Sequence, residues 1–496
     1  MTMLSRSLRD WRFVAIALAG GLSILAYILA ACQIDQCGYP LDDAWIHQTY
    51  ARNLSQLGEW AFVPGRPSAG STSPLWTMLL AIGYKLGINP LIWTFFLGWL
   101  GLVLMGKIFY QGILVFLPDK PRLAFWGGLL IVFEWHLVWA AASGMETILA
   151  ALIDLVVAVF LLKPSKSWAW IGLLIGVGIW VRPDGVTLLA PALLVMALGL
   201  TSWKEGWKSA LKIGSPVGML SALYLLFNHW SGRMWLPITF FAKQAEYGSY
   251  QTVPIWERFI QQAQMPLVGV GVLLLPGFFL LFPQIRKKWN WAVIGLILWI
   301  GGYIFMYAWR LPVTYQHGRY LIPVMPVYFL LGFVGMSRFV TRQTSRSFQR
   351  IGFKSWVFSG IIVLGVFWGL GMNAYRRDVS FIQAEMVDVA RWIAQNTESD
   401  ALVAAHDIGA LGYFGQRNIL DLAGLITPEV IPFLRDQDLI EAYLNEKKAD
   451  YLVTFPGWYP RLTSGLTVVY TSSHVPNPFP DNEKMTVYYW RGADSR

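Results

Sequence analysis

Two adjacent carboxylates, Asp42 and Asp43, stand in the stretch Tyr39-Pro40-Leu41-Asp42-Asp43-Ala44-Trp45-Ile46-His47. They follow an apolar run at 13–32, and only 13 acidic residues occur in the first 372 positions. A carboxylate beside a bilayer is costly and is kept mainly where it does chemistry. The chemistry open to it is proton transfer with a reacting group. Four more stretches carry ionisable groups between apolar runs. They are Ser143-Gly144-Met145-Glu146-Thr147, Val181-Arg182-Pro183-Asp184-Gly185, Leu236-Pro237 through Lys243, and His317-Gly318-Arg319-Tyr320. In the C-terminal part, His406-Asp407 follows a short apolar segment.

The elements that must position these groups are read from composition and periodicity. Of 496 residues, 55% are hydrophobic and 14% charged, and the mean hydropathy is +0.47. That is the signature of a polytopic helical membrane protein, and 26 Trp with 21 Tyr fit aromatic belts at its interfaces. The net charge of +10 is uneven: residues 1–372 hold 28 Lys and Arg against 13 acids, and residues 373–496 hold 11 against 16. Two domains follow, a membrane part at 1–372 and a soluble tail at 373–496. The basic excess fits cytoplasmic loops and lipid phosphates. No basic run with interleaved aromatics points to nucleic acid.

About eleven spans are expected, at 13–32, 90–116, 123–141, 146–163, 168–182, 185–200, 210–229, 265–282, 290–309, 320–338 and 355–372. The apolar piece at 75–88 falls short of the ~20 residues a span needs and reads as an interfacial helix. With it uncrossed, the Lys and Arg clusters at 120–122, 163–166, 204–212, 286–288 and 342–354 share one side. The N-terminus is then cytoplasmic in a plasma (inner) membrane. The first outer loop, 33–89, carries an amphipathic helix at 42–57, and the tail lies outside. A retained first helix is favoured over a signal peptide or a lipoprotein cleavage box at Leu29-Ala30-Ala31-Cys32. Asn53-Leu54-Ser55 matches a glycosylation sequon by pattern only. For Cys32 and Cys37, a disulfide and two free thiols both remain open. The tail reads as a small α/β domain, with strands at 401–405, 418–422 and 451–455 and helices at 382–396 and 436–448.

The ordered motifs resemble the GT-C glycosyltransferases, which include protein O-mannosyltransferases and transferases of aminoarabinose. The subgroup resembling mycobacterial terminal arabinofuranosyltransferases fits best. The resemblance is carried by Asp42-Asp43-Ala44-Trp45-Ile46, Tyr50-Ala51-Arg52-Asn53-Leu54, Gly70 to Thr77, Ser143 to Thr147, Arg182 to Gly185, Leu236 to Lys243, and Gly318 to Pro323. It implies an inverting transferase acting on the outer side. The donor would be a monosaccharide on a polyprenyl phosphate, with arabinofuranose or mannose as examples. The acceptor would be an envelope glycan, lipid or protein. It also implies a catalytic base in the first outer loop. Asp42, the first acid of the pair, is the favoured base; Asp43 could instead be the base, bind acceptor, hold Arg52 or start the helix.

Lys243 and Arg319, with His317 behind them, are the expected donor-phosphate ligands, since charge on the leaving phosphate rises in the transition state. Snorkelling or helix-end roles are their alternatives. Glu146, Arg182, Asp184, Arg52, Trp45, His406 and Asp407 are expected at the sugar or acceptor. Against this, Glu146 suits a helix N-terminus, Arg182 and Asp184 could pair with each other, and Asp407 could cap a turn. No cofactor is expected. Asp42, Asp43 and Glu146 could meet around a divalent ion, but no ligand motif supports it. The competing function is a lipid or sugar transporter or flippase, which would place charges mid-span, often within internal repeats. Neither is found in the sequence.

Overall fold

The computed structural model describes residues 11–33, 37–199, 202–281, 290–342, 346–472 and 483–490. The basic cluster expected at 286–288 lies outside them, as do Arg6 and Arg9, which precede the first apolar run in the sequence.

The chain is largely helical. In order come α1 (Trp11–Cys32), α2 (Asp42–Leu57), α3 (Pro74–Lys85), α4 (Pro90–Phe116), α5 (Pro121–Phe133), α6 (Trp135–Ala142), α7 (Thr147–Leu162), α8 (Trp168–Val181) and α9 (Leu189–Leu198). Then follow α10 (Trp203–Gly232), α11 (Ile238–Glu246), α12 (Ile255–Gln264), α13 (Gly271–Leu280), α14 (Trp291–Arg310), α15 (Met325–Arg342), α16 (Arg346–Phe381), α17 (Asp388–Asn396) and α18 (Gln437–Lys447).

Each of the eleven expected spans falls on helix, but they are not alike. Among the described residues six helices are long and apolar enough to cross a bilayer, and two bent pairs raise the number to eight. The remaining three, at 147–162, 168–181 and 183–198, are shorter apolar helices. The chain is thus a multi-pass membrane protein. One bend, of 53°, separates α5 from α6. There the carboxylate of Glu134 accepts the Leu137 N–H and so restarts the helix. The other, of 104°, lies between 267 and 271, where Pro266 and the left-handed Gly269 break the run. The stretch expected as one span at 265–282 is therefore the second arm of a bent pair. Close helix contacts use glycine: a Cβ on Gly172 of α8 would fall 2.5 Å from a backbone oxygen of α10.

The tail is a mixed five-stranded sheet in the order β4-β3-β5-β7-β6. A two-stranded hairpin in the first loop, β1 (Ala61–Val63) and β2 (Arg66–Pro67), precedes it. The three expected tail strands are β3 (Leu402–Ala405), β4 (Asn418–Asp421) and β5 (Tyr451–Thr454). β3 lies parallel to both others. β6 (Thr467–Thr471) and β7 (Thr486–Tyr489) were not foreseen, although both are β-branched and aromatic runs. The chain enters the tail without a break, because α16 runs through position 373 to Phe381 and a π-helical segment, Ile382–Val387, joins it to α17. The tail is fastened to the first loop. Asp42 accepts N–H bonds from Gly409 and Ala410, both at 2.7 Å, and Arg52 donates to the Gly412 and Tyr413 carbonyls. Cys32 and Cys37 are joined as a disulfide.

Candidate active site

α2 sets the polar wall of a cavity of 380 Å³. Its first turn holds Asp42 and Asp43, where carboxylates favour the positive end of a helix, and it stops at Gly58 with φ 73°. Asp43 and His47 are four residues apart, share one face, and both line the cavity. Around them stand Glu146 at the start of α7, Arg182 and Asp184 just after α8, Lys243 of α11, and Arg319 with Tyr320. Leu425 is the tail's contribution.

The charged groups form a graded chain. Arg319 donates to the Asp43 carboxylate at 2.5 Å, and the Lys243 ammonium lies 3.6 Å from the same oxygen. Both cations also donate to the Tyr320 hydroxyl, at 3.0 and 2.9 Å. Burial alone would raise the Asp43 carboxyl, but Lys243 and Arg319 hold it well below the usual carboxylate range. Arg319 is only 4% exposed, yet one of its terminal nitrogens has no hydrogen-bond partner.

Deeper in, Asp184 accepts two bonds from Arg182 and one each from Tyr303 and Tyr307. Three of the four fall on Oδ2. Glu146 is less engaged: His47 is 3.5 Å and Arg182 3.7 Å away, and one carboxylate oxygen has no hydrogen-bond partner. The other ring nitrogen of His47 meets Ser71 and Thr77, each at 3.1 Å. Burial lowers the His47 pKa despite Glu146 and Asp43 nearby. Val186, Leu236, Phe240, Met306 and Leu311 give the cavity an apolar side, while Gln244, Arg310 and several threonines also line it. Val186, Leu236 and Phe240 are also exposed at the protein surface.

Thus Asp43, Glu146, Arg182, Asp184, Lys243 and Arg319 are brought together, and the other sequence candidates are not. Asp42 faces the tail; burial and then the Asp407 charge push its carboxyl up to about 8. Arg52 holds the tail backbone. Trp45 is buried among Tyr39, Tyr413 and Phe414, too deep to face a ligand. His317 turns away from the cavity toward Asp378, 2.8 Å distant. The His406 ring nitrogens contact Tyr459 at 3.0 Å and Glu246 at 3.4 Å. Asp407 has a buried oxygen without a hydrogen-bond partner, and its carboxyl is raised to about 6, chiefly by burial. The lining residues His47, Tyr307 and Tyr320 escaped the sequence reading. His47 alone had a usable signal there, its four-residue spacing from Asp43. Among the described residues no three of His, Cys, Asp and Glu are grouped to hold a metal ion.

A bundle of membrane helices, with a first-loop helix bringing an acid into a cavity beneath a small α/β tail, is the GT-C fold of membrane glycosyltransferases. Solved structures share this fold. ArnT from Cupriavidus metallidurans bound to undecaprenyl phosphate matches at 15% identity and TM-score 0.56, over 96% of this chain and 97% of that one. The oligosaccharyltransferase of Archaeoglobus fulgidus, in complex with Zn and sulfate, matches at 14% identity and TM-score 0.58, over 90% and 68%. The arabinofuranosyltransferase AftD from Mycobacteria matches at 13% and 0.50, over 96% and 39%. At such identities the likeness is one of fold. Residues 374–488 match the family model of a domain of unknown function, DUF8728. No curated protein matches the sequence.

Proposed function

We propose that the protein is an inverting glycosyltransferase that moves a monosaccharide from a polyprenyl-phosphate donor to an envelope glycan, lipid or protein. The observation that carries this reading is the pair of cations, Lys243 and Arg319, that converge on Asp43 within one cavity. A phosphate entering that cavity would meet two cations at once, with the Tyr320 hydroxyl between them. The apolar and partly exposed wall at Val186, Leu236 and Phe240 suits the isoprenoid chain. ArnT, of the same fold, was solved with undecaprenyl phosphate bound.

In this reading Asp43 takes the proton of the acceptor hydroxyl. The acceptor oxygen attacks the anomeric carbon, and the bond from that carbon to the phosphate oxygen breaks. Polyprenyl phosphate leaves with its new charge shared by Lys243, Arg319 and the Tyr320 hydroxyl. A single displacement inverts the anomeric centre. The phosphate draws the two cations off Asp43, which restores its basicity when a donor is present. The base thereby moves from Asp42, favoured by the motif, to Asp43, favoured by its place in the cavity. Glu146, which lines the same cavity, reads a sugar hydroxyl, and Arg182, itself held by Asp184, braces it.

The Cys32–Cys37 disulfide supports placing the first loop, and with it the cavity and tail, on the oxidising outer side. The N-terminus is then cytoplasmic. The division into a catalytic part at 1–372 and a tail at 373–496 is supported by the tail's own sheet.

A transfer assay on the purified full chain tests the reading. It uses short-chain prenyl-phosphate pentoses and hexoses, envelope extract as acceptor, and wild type beside Asp43→Asn and Asp42→Asn. Consumption of one donor by wild type and not by Asp43→Asn is the expected result. Prenyl-phosphate binding with Asp43→Asn as active as wild type would overturn the assignment of the base.

A further inference from the structure

Two residues before Arg319, the chain adopts a backbone that ordinary residues avoid. Gln316, His317 and Gly318 have φ of 55°, 59° and 65° in succession. L-residues other than glycine are crowded in this left-handed region, and such conformations persist only where the surroundings hold them. Gly318 suits the conformation; Gln316 and His317 do not. The turn also decides direction, sending the His317 side chain toward α6 and α16 and the Arg319 side chain into the cavity.

The fastening is visible. The His317 ring nitrogen Nε2 lies 2.8 Å from Asp378 Oδ2, on α16. The indole N–H of Trp139, on α6, donates to the same oxygen at 2.9 Å. The imidazole stands edge-on to two indoles, Trp135 at 5.4 Å and Trp139 at 5.2 Å. Imidazole, carboxylate and indole thus anchor the turn to two membrane helices.

We propose that the His317–Asp378 pair, locked by Trp139, holds the left-handed turn that aims Arg319 at the donor phosphate, so that His317 is a positioning residue. This rests on the reading of Arg319 as a phosphate ligand. The assignment differs from a direct role: His317 does not line the cavity, and its ring nitrogen is engaged on the far side of the turn. It explains why a strained histidine and a buried arginine sit two residues apart. Without the anchor the turn relaxes toward right-handed backbone, and the guanidinium is no longer fixed beside Lys243 and Tyr320.

The test is a double-mutant cycle on the full chain in detergent, with geranyl phosphate as the titrated ligand. His317→Ala is expected to weaken binding about tenfold in the wild-type background and by less than about twofold in an Arg319→Gln background, because its effect passes through Arg319. In turnover, the KM for donor rises and kcat changes little. Should His317→Ala fail to fold, His317→Asn supplies the same comparison, since asparagine tolerates left-handed backbone. Equal losses in both backgrounds would overturn the proposal, as His317 would then act on phosphate, or on the fold, independently of Arg319. An unchanged wild-type affinity would overturn it too. Arg319→Gln binding geranyl phosphate as tightly as wild type would instead remove the reading of the site on which the proposal stands.

Discussion

The Asp43 carboxylate and the Arg319 guanidinium meet at 2.5 Å across 276 positions of chain. One belongs to α2, in the loop after α1, and the other to a turn before α15. Both line the cavity, and in the proposed mechanism their contact pre-assembles the cation that a leaving phosphate requires. The cation holds the acid, and in the proposed mechanism a donor phosphate would compete with Asp43 for it.

Asp43→Asn is therefore expected to lower transfer by about 10²–10⁴-fold, the usual loss on removing a general base. Geranyl phosphate binding should be kept or tightened, because the amide no longer competes for Lys243 and Arg319. Initial rates and a binding titration on one preparation check both parts.

Arg319→Lys is not conservative here, since a single ammonium cannot donate to Asp43, Tyr320 and a phosphate with the guanidinium's fixed fork. A loss of about 10- to 100-fold in kcat/KM for donor is expected. Raising the ionic strength should change it little, because the cation is buried. Rates measured in low and high salt decide this.

Gly409 has no room for a side chain: a Cβ would fall 2.0 Å from the Asp42 carbonyl oxygen. Gly409→Ala should loosen the tail from the first loop by pushing its backbone off Asp42. Limited proteolysis checks this, with faster release of the tail than in wild type and slower loss of the membrane part. An unchanged cleavage rate would show that Asp42 is not what secures the tail.

His406 and Glu246 tie the tail to α11, the helix that carries Lys243. Burial opposes the charge on His406, but Glu246 and Asp407 raise its pKa above 6.5, and His406 lowers that of Glu246. A histidine whose pKa is raised by folding contributes stability that is complete below the unfolded value near 6.5 and is lost as pH rises through the folded value. The melting temperature of His406→Gln should therefore fall furthest below wild type near pH 6, and the gap should narrow by pH 9. A gap independent of pH would mean that the contact is one of packing.

How much of this was legible in the sequence differs between fold and site. Each expected span lies on helix, because apolar runs and basic loops are local properties of the chain. Three tail strands were readable as short apolar runs between turns. β6 was not, since most of its side chains are exposed. The bends at Glu134 and Gly269 were missed because a hydropathy window averages across them.

The polar loops were likewise legible as a set, and six of the expected residues do meet in one cavity. Their partners were not. Adjacent residues on a helix point about 100° apart. A motif such as Asp42-Asp43 therefore names two acids, and only the packed neighbours decide which faces the cavity and which the tail. His317 and Arg319 separate for a related reason: a left-handed turn between them sends one to α16 and the other to Asp43. By itself the sequence determined the membrane bundle and the α/β tail, since these follow from composition and period. The tertiary structure alone decided the ion pairs, because an ion pair depends on where side chains from distant segments are held in space.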